Sequence, residues 1–397
     1  MAILYAILFF LFSPPRNTDQ EFLVSFHQYR AQLDEFRMEF GGTYHLPKTA
    51  FYLFGMGNRT KYLFEHGVLL NIITGDTVFV SPGDSALIIP NEYTVLIYQS
   101  PKKSIRISEN KDGVWLYRTK KPELLPGTGA PVNLPEFADN RYSEILKVLH
   151  QEILINILDS KPLPNLLVYK KPWRRDAAMM AMCLEKTGNV NLIRSWVLGI
   201  TDPYDHNNGQ VSGKAEDEAD NLGETLYLVS LFAGRDYPVV NRVLEELPRF
   251  EKNSGPDHYI EGRSDFQSVP VYQTKWLIFG LNKLGIKNNY SIPLIPDNYS
   301  SLFWWDFRAC HVEGSGWVDS RYPYIEWARD HFYGWKNGKI SDRDYPLTWE
   351  KDASEAGYPN MSVIDKQYTG LHLAAPHSWH AAEIFLYLTD ERGLNNK

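Results

Sequence analysis

YKKPWRRDAAMMAMCLEKTG, residues 169–188, opens on an aromatic, cationic and acidic cluster, Trp173, Arg174, Arg175 and Asp176, and continues without a break into an apolar run from Ala177 to Leu184. The pattern predicts a helix over 172–187. Pro172 suits its first turn, where a missing N–H is of no consequence, and Gly188 suits the C-terminal cap. The run is apolar on almost every face, so the helix is expected to be buried on all sides. Its polar N-terminus then stands at the mouth of a core. One reading makes Arg175 and Asp176 a structural ion pair with helix-dipole support. The other makes them the lining of a polar substrate pocket.

Downstream of residue 137 the period stays helical. Ile145, Leu149, Ile153 and Ile157 recur at four-residue steps within 141–158. Further helices are expected near 190–200, over 221–233, 238–250 and 269–284, in a Pro- and Tyr-rich segment near 322–335, and over 378–388. They are joined by loops carrying Gly, Pro, Asn and Asp, with no repeat of constant length. Upstream the character differs. Between residues 50 and 118, short β-type runs alternate with turn signals about every ten residues, the pattern of an antiparallel sheet or sandwich. Residues 120–135 are rich in Pro and Gly and read as a linker. Residues 17–40 carry Phe22, Phe26, Tyr29, Leu33, Phe36 and Phe40 at helical steps, ended by Gly41-Gly42. The expected organisation is an N-terminal segment with an amphipathic helix over 1–49, an antiparallel β domain over 50–130 and a helical domain over 137–397. Helical hairpins without strands pack helix on helix, and a toroid of hairpins is one solution. The fold class expected is therefore mostly α, an (α/α) toroid preceded by an antiparallel β domain.

Composition narrows the function. The 397 residues are 44 % hydrophobic and 22 % charged, an ordinary globular balance with length for a large core. A net charge of -7 without a basic block argues against a nucleic-acid partner. The 24 Tyr, 20 Phe and 11 Trp offer flat apolar faces with polar edges, suited to sugar rings as well as to a core. Two cysteines, Cys183 and Cys310, make neither a disulfide framework nor a zinc site. No metal-ligand spacing or nucleotide fingerprint is present, so no cofactor is expected. The apolar run 2–12 is too short to span a bilayer. It resembles the core of a secretory signal without the basic start or the small-residue cleavage site, which leaves export and a cytoplasmic location both open.

The chemistry gathers where loops meet helices. After Trp173–Asp176 comes Glu216-Asp217-Glu218-Ala219-Asp220-Asn221-Leu222-Gly223-Glu224, five acids in nine residues, leading into an apolar helix. Such density is either a solvated face aided by the helix dipole or a site with one or two carboxylates turned inward. Ser264-Asp265-Phe266 with Gln273, Lys275 and Trp276 forms a third junction, Trp304-Trp305-Asp306 a fourth, Trp349-Glu350 a fifth, and His377-Ser378-Trp379-His380 a sixth. Trp beside ionisable groups, repeated at helix starts, is how a polyhydroxylated ligand is held, by stacking and by paired hydrogen bonds.

Trp173-Arg174-Arg175-Asp176-Ala177-Ala178 resembles the W-x-R-D-A segment of the glucoamylase-like six-hairpin glycosidases. The resemblance implies an (α/α)6 toroid, often preceded by a β-sandwich, with Arg175 and Asp176 holding the sugar whose bond is cleaved. The expected function is a glycoside hydrolase acting on an oligo- or polysaccharide through two carboxyl groups. Glu218 is the candidate acid and Glu350 the candidate base, with Asp220 and Asp265 in reserve. Trp173, Arg175, Asp176, Gln273, Lys275, Trp305, Trp349, His377, Trp379 and His380 are the candidate substrate-binding residues. Two alternatives stand beside it. A sugar epimerase or polysaccharide lyase would use His377 and His380 as proton-transfer groups, and a glycan-binding protein without catalysis would need only the tryptophans.

Overall fold

The computed structural model describes residues 19–40, 51–81, 85–100, 103–118, 121–207, 217–264, 267–293, 345–348 and 376–389. Asp265, Trp305, Trp349 and Glu350, together with the apolar run 2–12 and the expected 322–335 segment, lie outside the described residues.

Helix α1, Asp19–Phe40, leads into nine strands, all antiparallel. Strands β1 (Phe51–Phe54), β2 (Tyr62–Glu65), β3 (Val68–Asn71) and β4 (Thr77–Val80) form one sheet in sequence order. Strands β5 (Ala86–Ile89), β6 (Thr94–Ser100), β7 (Lys103–Asn110), β8 (Gly113–Tyr117) and β9 (Glu123–Leu124) form a second, again in order. These meanders follow from short β-branched and aromatic runs separated by tight turns. Gly113, at φ 159, is nearly extended, and a Cβ there would come within 2.9 Å of the Thr128 carbonyl oxygen, so this position is glycine for lack of room.

The remainder alternates helices with small hairpins. Helix α2 is Ser143–Ile155, and β10 (Ile157–Leu158) pairs with β11 (Lys161–Pro162) directly after it. Helix α3, Arg174–Lys186, is followed by the short α4, Arg194–Val197, then α5, Asp220–Ser230, and α6, Pro238–Glu246. Strand β12 (Glu251–Ser254) pairs with β13 (Asp257–Ile260), and β14 (Arg263–Ser264) with β15 (Gln267–Ser268). Helices α7, Pro270–Lys283, and α8, Ser378–Thr389, complete the described elements.

This overturns the mostly-α toroid expected from sequence. The described residues are about 40 % helix and 22 % strand, and they hold sheets of four and five strands plus three two-stranded hairpins, one of them following directly on α2. The hairpins escaped notice for a physical reason. Glu251–Ser254 is polar and solvent-facing, so it shows no two-residue apolar alternation. Its pairing depends instead on the turn at Gly255, at φ 62. The β10–β11 turn is made by Asp159 and Ser160, both at positive φ, the geometry of a two-residue hairpin loop. That hairpin takes up the last steps of what reads as one helix over 141–158.

One large apolar cluster joins the parts, including Tyr52, Phe54 and Ile107 from the sheets and Leu149, Met180, Leu226 and Phe385 from the helices. Helix α3 lies within it, buried from Arg174 to Leu184, as its all-round apolar sequence predicts. It packs on α5 and α8, α8 packs also on α2, and α5 has its most extensive contact with α7. Two glycines set the α5–α7 crossing. A Cβ on Gly223 would stand 2.3 Å from the Leu277 nitrogen, and one on Gly280 would stand 2.6 Å from the Gly223 carbonyl oxygen. Close approach of these backbones brings the first turns of α5 against the middle of α7. Gly223→Ala is therefore expected to destabilise the protein by about 3 kcal/mol or more, an overpacking effect, read as a lowered denaturation midpoint. A midpoint unchanged in Gly223→Ala would contradict this crossing.

Candidate functional site

The N-terminus of α3 is the starting point. Trp173 is extended at φ -102, ψ 138 and supplies no side-chain cap. The cap comes from elsewhere: the Arg174 N–H donates to Asp205 Oδ2 at 2.7 Å. The loop carrying Asp205 is held in turn by the Asn207 amide donating to the Pro172 carbonyl at 2.7 Å and by the Asp205 N–H donating to Asn221 Oδ1 at 3.0 Å. Arg174 runs inward, its Nε donating to Thr225 Oγ1 at 3.1 Å. The loop thus ties the start of α3 to the start of α5.

Arg175 makes the stronger link. Its side chain is 2 % exposed, and it donates through Nε to Asp220 Oδ2 at 3.0 Å and through an η nitrogen to Glu218 Oε1 at 3.1 Å. Both carboxylates are as deeply buried as the guanidinium. Where the sequence suggested an ion pair between Arg175 and Asp176, the salt bridges seen for Arg175 run to Glu218 and Asp220, across the fold. The Trp379 ring of α8 lies 5.7 Å from the guanidinium carbon, a cation–π contact. Asp220 also accepts from the Ser264 hydroxyl at 2.6 Å, and Ser264 accepts from the Gln273 amide at 2.9 Å.

Asp176 points to α8. His377 Nε2 lies 3.9 Å from Asp176 Oδ1, and the His377 and His380 rings are tilted together with centroids 4.6 Å apart. Of the residues nominated from sequence, the structure thus brings Arg175, Asp176, Glu218, Asp220, Gln273, His377, Trp379 and His380 into one buried polar cluster. Trp173 sits half-buried at its edge with its ring against Tyr169. Lys275 is buried on α7.

Three residues of the cluster were not nominated. Ser264 was visible only as part of a junction. Glu224 lies four residues after Asp220, hence on the same helix face. It is fully buried, its Oε2 accepts from the Asn221 amide at 3.3 Å, and its Oε1 is 3.1 Å from the Tyr272 hydroxyl. Burial first, and the Asp220 charge second, push its carboxyl well above the usual carboxylate range. The spacing Asp220-x-x-x-Glu224 was the available signal. Glu152, on α2, is the third. It accepts from the Leu347 N–H and, at 2.7 Å, from the Thr348 hydroxyl, whose oxygen lies 3.4 Å from the His377 carbonyl. Burial lifts its carboxyl to about 8.

A groove of about 400 Å³ is lined by Asp202, Tyr204, His206, Asp217 and Arg249 among others. Asp217, which lines this groove, directly precedes Glu218 in the chain. Among the described residues no group of three His, Cys, Asp or Glu side chains is arranged to hold a metal ion, and no helix is long and apolar enough to cross a membrane. Compared with known protein families, with curated proteins and with solved structures, the chain matches none.

Glu152 carries a pH signature. An unfolded carboxyl loses its proton near its ordinary value, while the folded one keeps it up to about 8. The folded state then binds the extra proton between those values, so this contribution to stability is complete below about pH 4.3 and is lost as pH rises through about 8. His150 on the same helix, pushed down to about 3 by burial, has a slope of opposite sign below the ordinary imidazole range. Denaturation of wild type and Glu152→Gln from pH 5 to pH 9 separates the two, since the His150 slope is common to both. The wild type is expected to lose stability relative to the variant across that range, and parallel curves would contradict it.

Proposed function

We propose that the chain is a carbohydrate-active enzyme, a glycoside hydrolase that works through the carboxyl groups at the start of α5. One observation carries the reading: two carboxylates paired with a buried guanidinium stand beside a third carboxyl, Glu224, whose proton affinity is raised by burial and by the Asp220 charge. Carboxyl groups whose surroundings push their proton affinities apart are what acid–base cleavage of a glycosidic bond requires. Glu218, expected from sequence as the acid, has the Arg175 guanidinium at 3.1 Å, which favours its charged form. It therefore takes the role of base or nucleophile, and Glu224 that of proton donor to the leaving oxygen. Asp176 and His377 supply hydroxyl ligands. The substrate class proposed is an oligo- or polysaccharide approaching from the groove that Asp217 lines. The half-buried Trp173 offers a ring face to a sugar, while Trp379, already against Arg175, serves the protein itself.

A second reading has its own observation. Asp176, His377 and His380 form a close carboxylate–imidazole group, suited to moving a proton at a sugar carbon, as in an epimerase or a lyase.

A glycan panel scored for released reducing ends, for unsaturated uronate absorbance and for altered sugars separates these reactions, and bound but unchanged glycan identifies a binder. For a hydrolase, Glu224→Gln should slow the chemical step by about 10²–10⁴-fold on substrates with poor leaving groups and much less on those with good ones. Glu218→Gln should slow both kinds alike. Near-normal turnover in both variants would overturn the hydrolytic reading, and loss confined to His377→Gln would favour proton transfer at carbon.

A further inference from the structure

Gln273, nominated from sequence as a sugar ligand, is tied to the protein at both ends of its amide. The Gly262 N–H donates to its Oε1 at 3.0 Å, and its Nε2 donates to the Gly262 carbonyl at 3.0 Å. A backbone donor and a backbone acceptor on the same residue permit one orientation of the amide, because the flipped one would set donor against donor and acceptor against acceptor. The second Nε2 hydrogen is then aimed at Ser264 Oγ, 2.9 Å away. Ser264 has one hydrogen. With a lone pair occupied by Gln273, that hydrogen faces Asp220 Oδ1 at 2.6 Å, the length of a hydroxyl donating to a charged oxygen. The other carboxylate oxygen, Oδ2, receives the Arg175 Nε–H at 3.0 Å. Donors thus arrive on both oxygens of Asp220. All four side chains are at most 2 % exposed, so water does not compete for these bonds.

We infer that Gly262, Gln273 and Ser264 form a one-way hydrogen-bond relay that holds Asp220 as a permanent carboxylate, making Asp220, Ser264 and Gln273 positioning residues that aim Arg175, and through it Glu218. The catalytic part of this inference rests on the hydrolytic reading; the charge state of Asp220 does not. Asp220 is thereby removed from the candidate proton donors. Its fixed charge also presses on Glu224, one helical turn away, in the direction that keeps the proton there. The relay explains why a serine and a glutamine from the β14–α7 region belong to a site whose acids come from α5.

The test is carboxyl NMR on the full chain labelled with ¹³C at aspartate, with the Asp220 signal assigned through its backbone and by its absence in Asp220→Asn. The signal is expected to keep its ionised position from pH 8 down to pH 4.5, already close to where an ordinary aspartate begins to take up its proton. Ser264→Ala removes one donor and should raise the Asp220 midpoint by about one unit; Ser264→Thr keeps the hydroxyl and should restore the wild-type curve. Uptake of a proton by wild-type Asp220 with a midpoint at or above about pH 5 would overturn the relay, as would a Ser264→Ala curve identical to wild type in a folded variant. On any glycan that the wild type cleaves, Ser264→Ala should lower kcat about tenfold with KM unchanged, and Ser264→Thr should recover it; unchanged kcat would refute the positioning role. If no glycan is cleaved, the hydrolytic reading fails, and the charge state of Asp220 is still decided by the titration.

Discussion

A guanidinium removed from water must be paired, and that constraint organises the helical part of this chain. Arg175 sits in the first turn of a helix buried over eleven residues, from Arg174 to Leu184. A charge in such a place is costly to desolvate unless its hydrogen bonds are satisfied. Glu218 and Asp220 satisfy it, and they come from a different helix start, 43 and 45 residues away. The pairing therefore fixes where α5 begins relative to α3. Other polar contacts accompany that registration, among them the Asp205 cap on α3, the Thr225 contact of Arg174, the Ser264 bond to Asp220 and the Trp379 ring over the guanidinium.

Packing and polarity agree in this arrangement. The glycine crossing of α5 on α7 lets Tyr272 reach Glu224 directly and Gln273 reach Asp220 through Ser264. Helix α8 closes the third side with small residues, Ala381 and Ala382, in the core, and with His377 turned to Asp176. Asn156 ties this side to α2, donating to the Pro376 carbonyl at 3.2 Å and accepting from the Leu166 N–H at 2.7 Å. The result is a core whose apolar cluster surrounds a polar centre with specific partners, a combination that rewards one packing over near alternatives.

The sequence made the helices legible wherever a long apolar period stood between a start and a stop signal. The stretch around Ala177–Leu184, the steps Ile145, Leu149 and Ile153, and the run after Asp220 all became helices near their expected bounds. The strands from Phe51 to Tyr117 were legible from their turns, whereas β9, Glu123–Leu124, lies in what reads as a linker. The hairpins at 251–260 and 263–268 were not, since their strands are short, partly polar and specified by turns, and with them the mostly-α ring was misjudged. In the candidate site, residue types at helix starts pointed to Arg175, Asp176, Glu218, Asp220, His377 and His380. Their pairing was not visible, because the partners of Arg175 are distant in sequence while Asp176 stands next to it. Ser264 and Glu224 were hidden for the same reason: what distinguishes them is what they touch.

A double-mutant cycle on Arg175 and Asp220 tests the central pairing most directly. Arg175→Met, Asp220→Asn and the double variant would be compared with wild type by denaturant unfolding at one pH and ionic strength. The structure predicts that Arg175→Met is costly, about 3–5 kcal/mol, because it strands two buried carboxylates, and that Asp220→Asn costs less, because Arg175 keeps Glu218 as a partner. It also predicts that the double change costs less than their sum by at least about 2 kcal/mol, the coupling of groups in direct contact. Additivity within about 0.5 kcal/mol, the behaviour of distant and independent sites, would contradict the pairing on which this account of the fold and its candidate site depends.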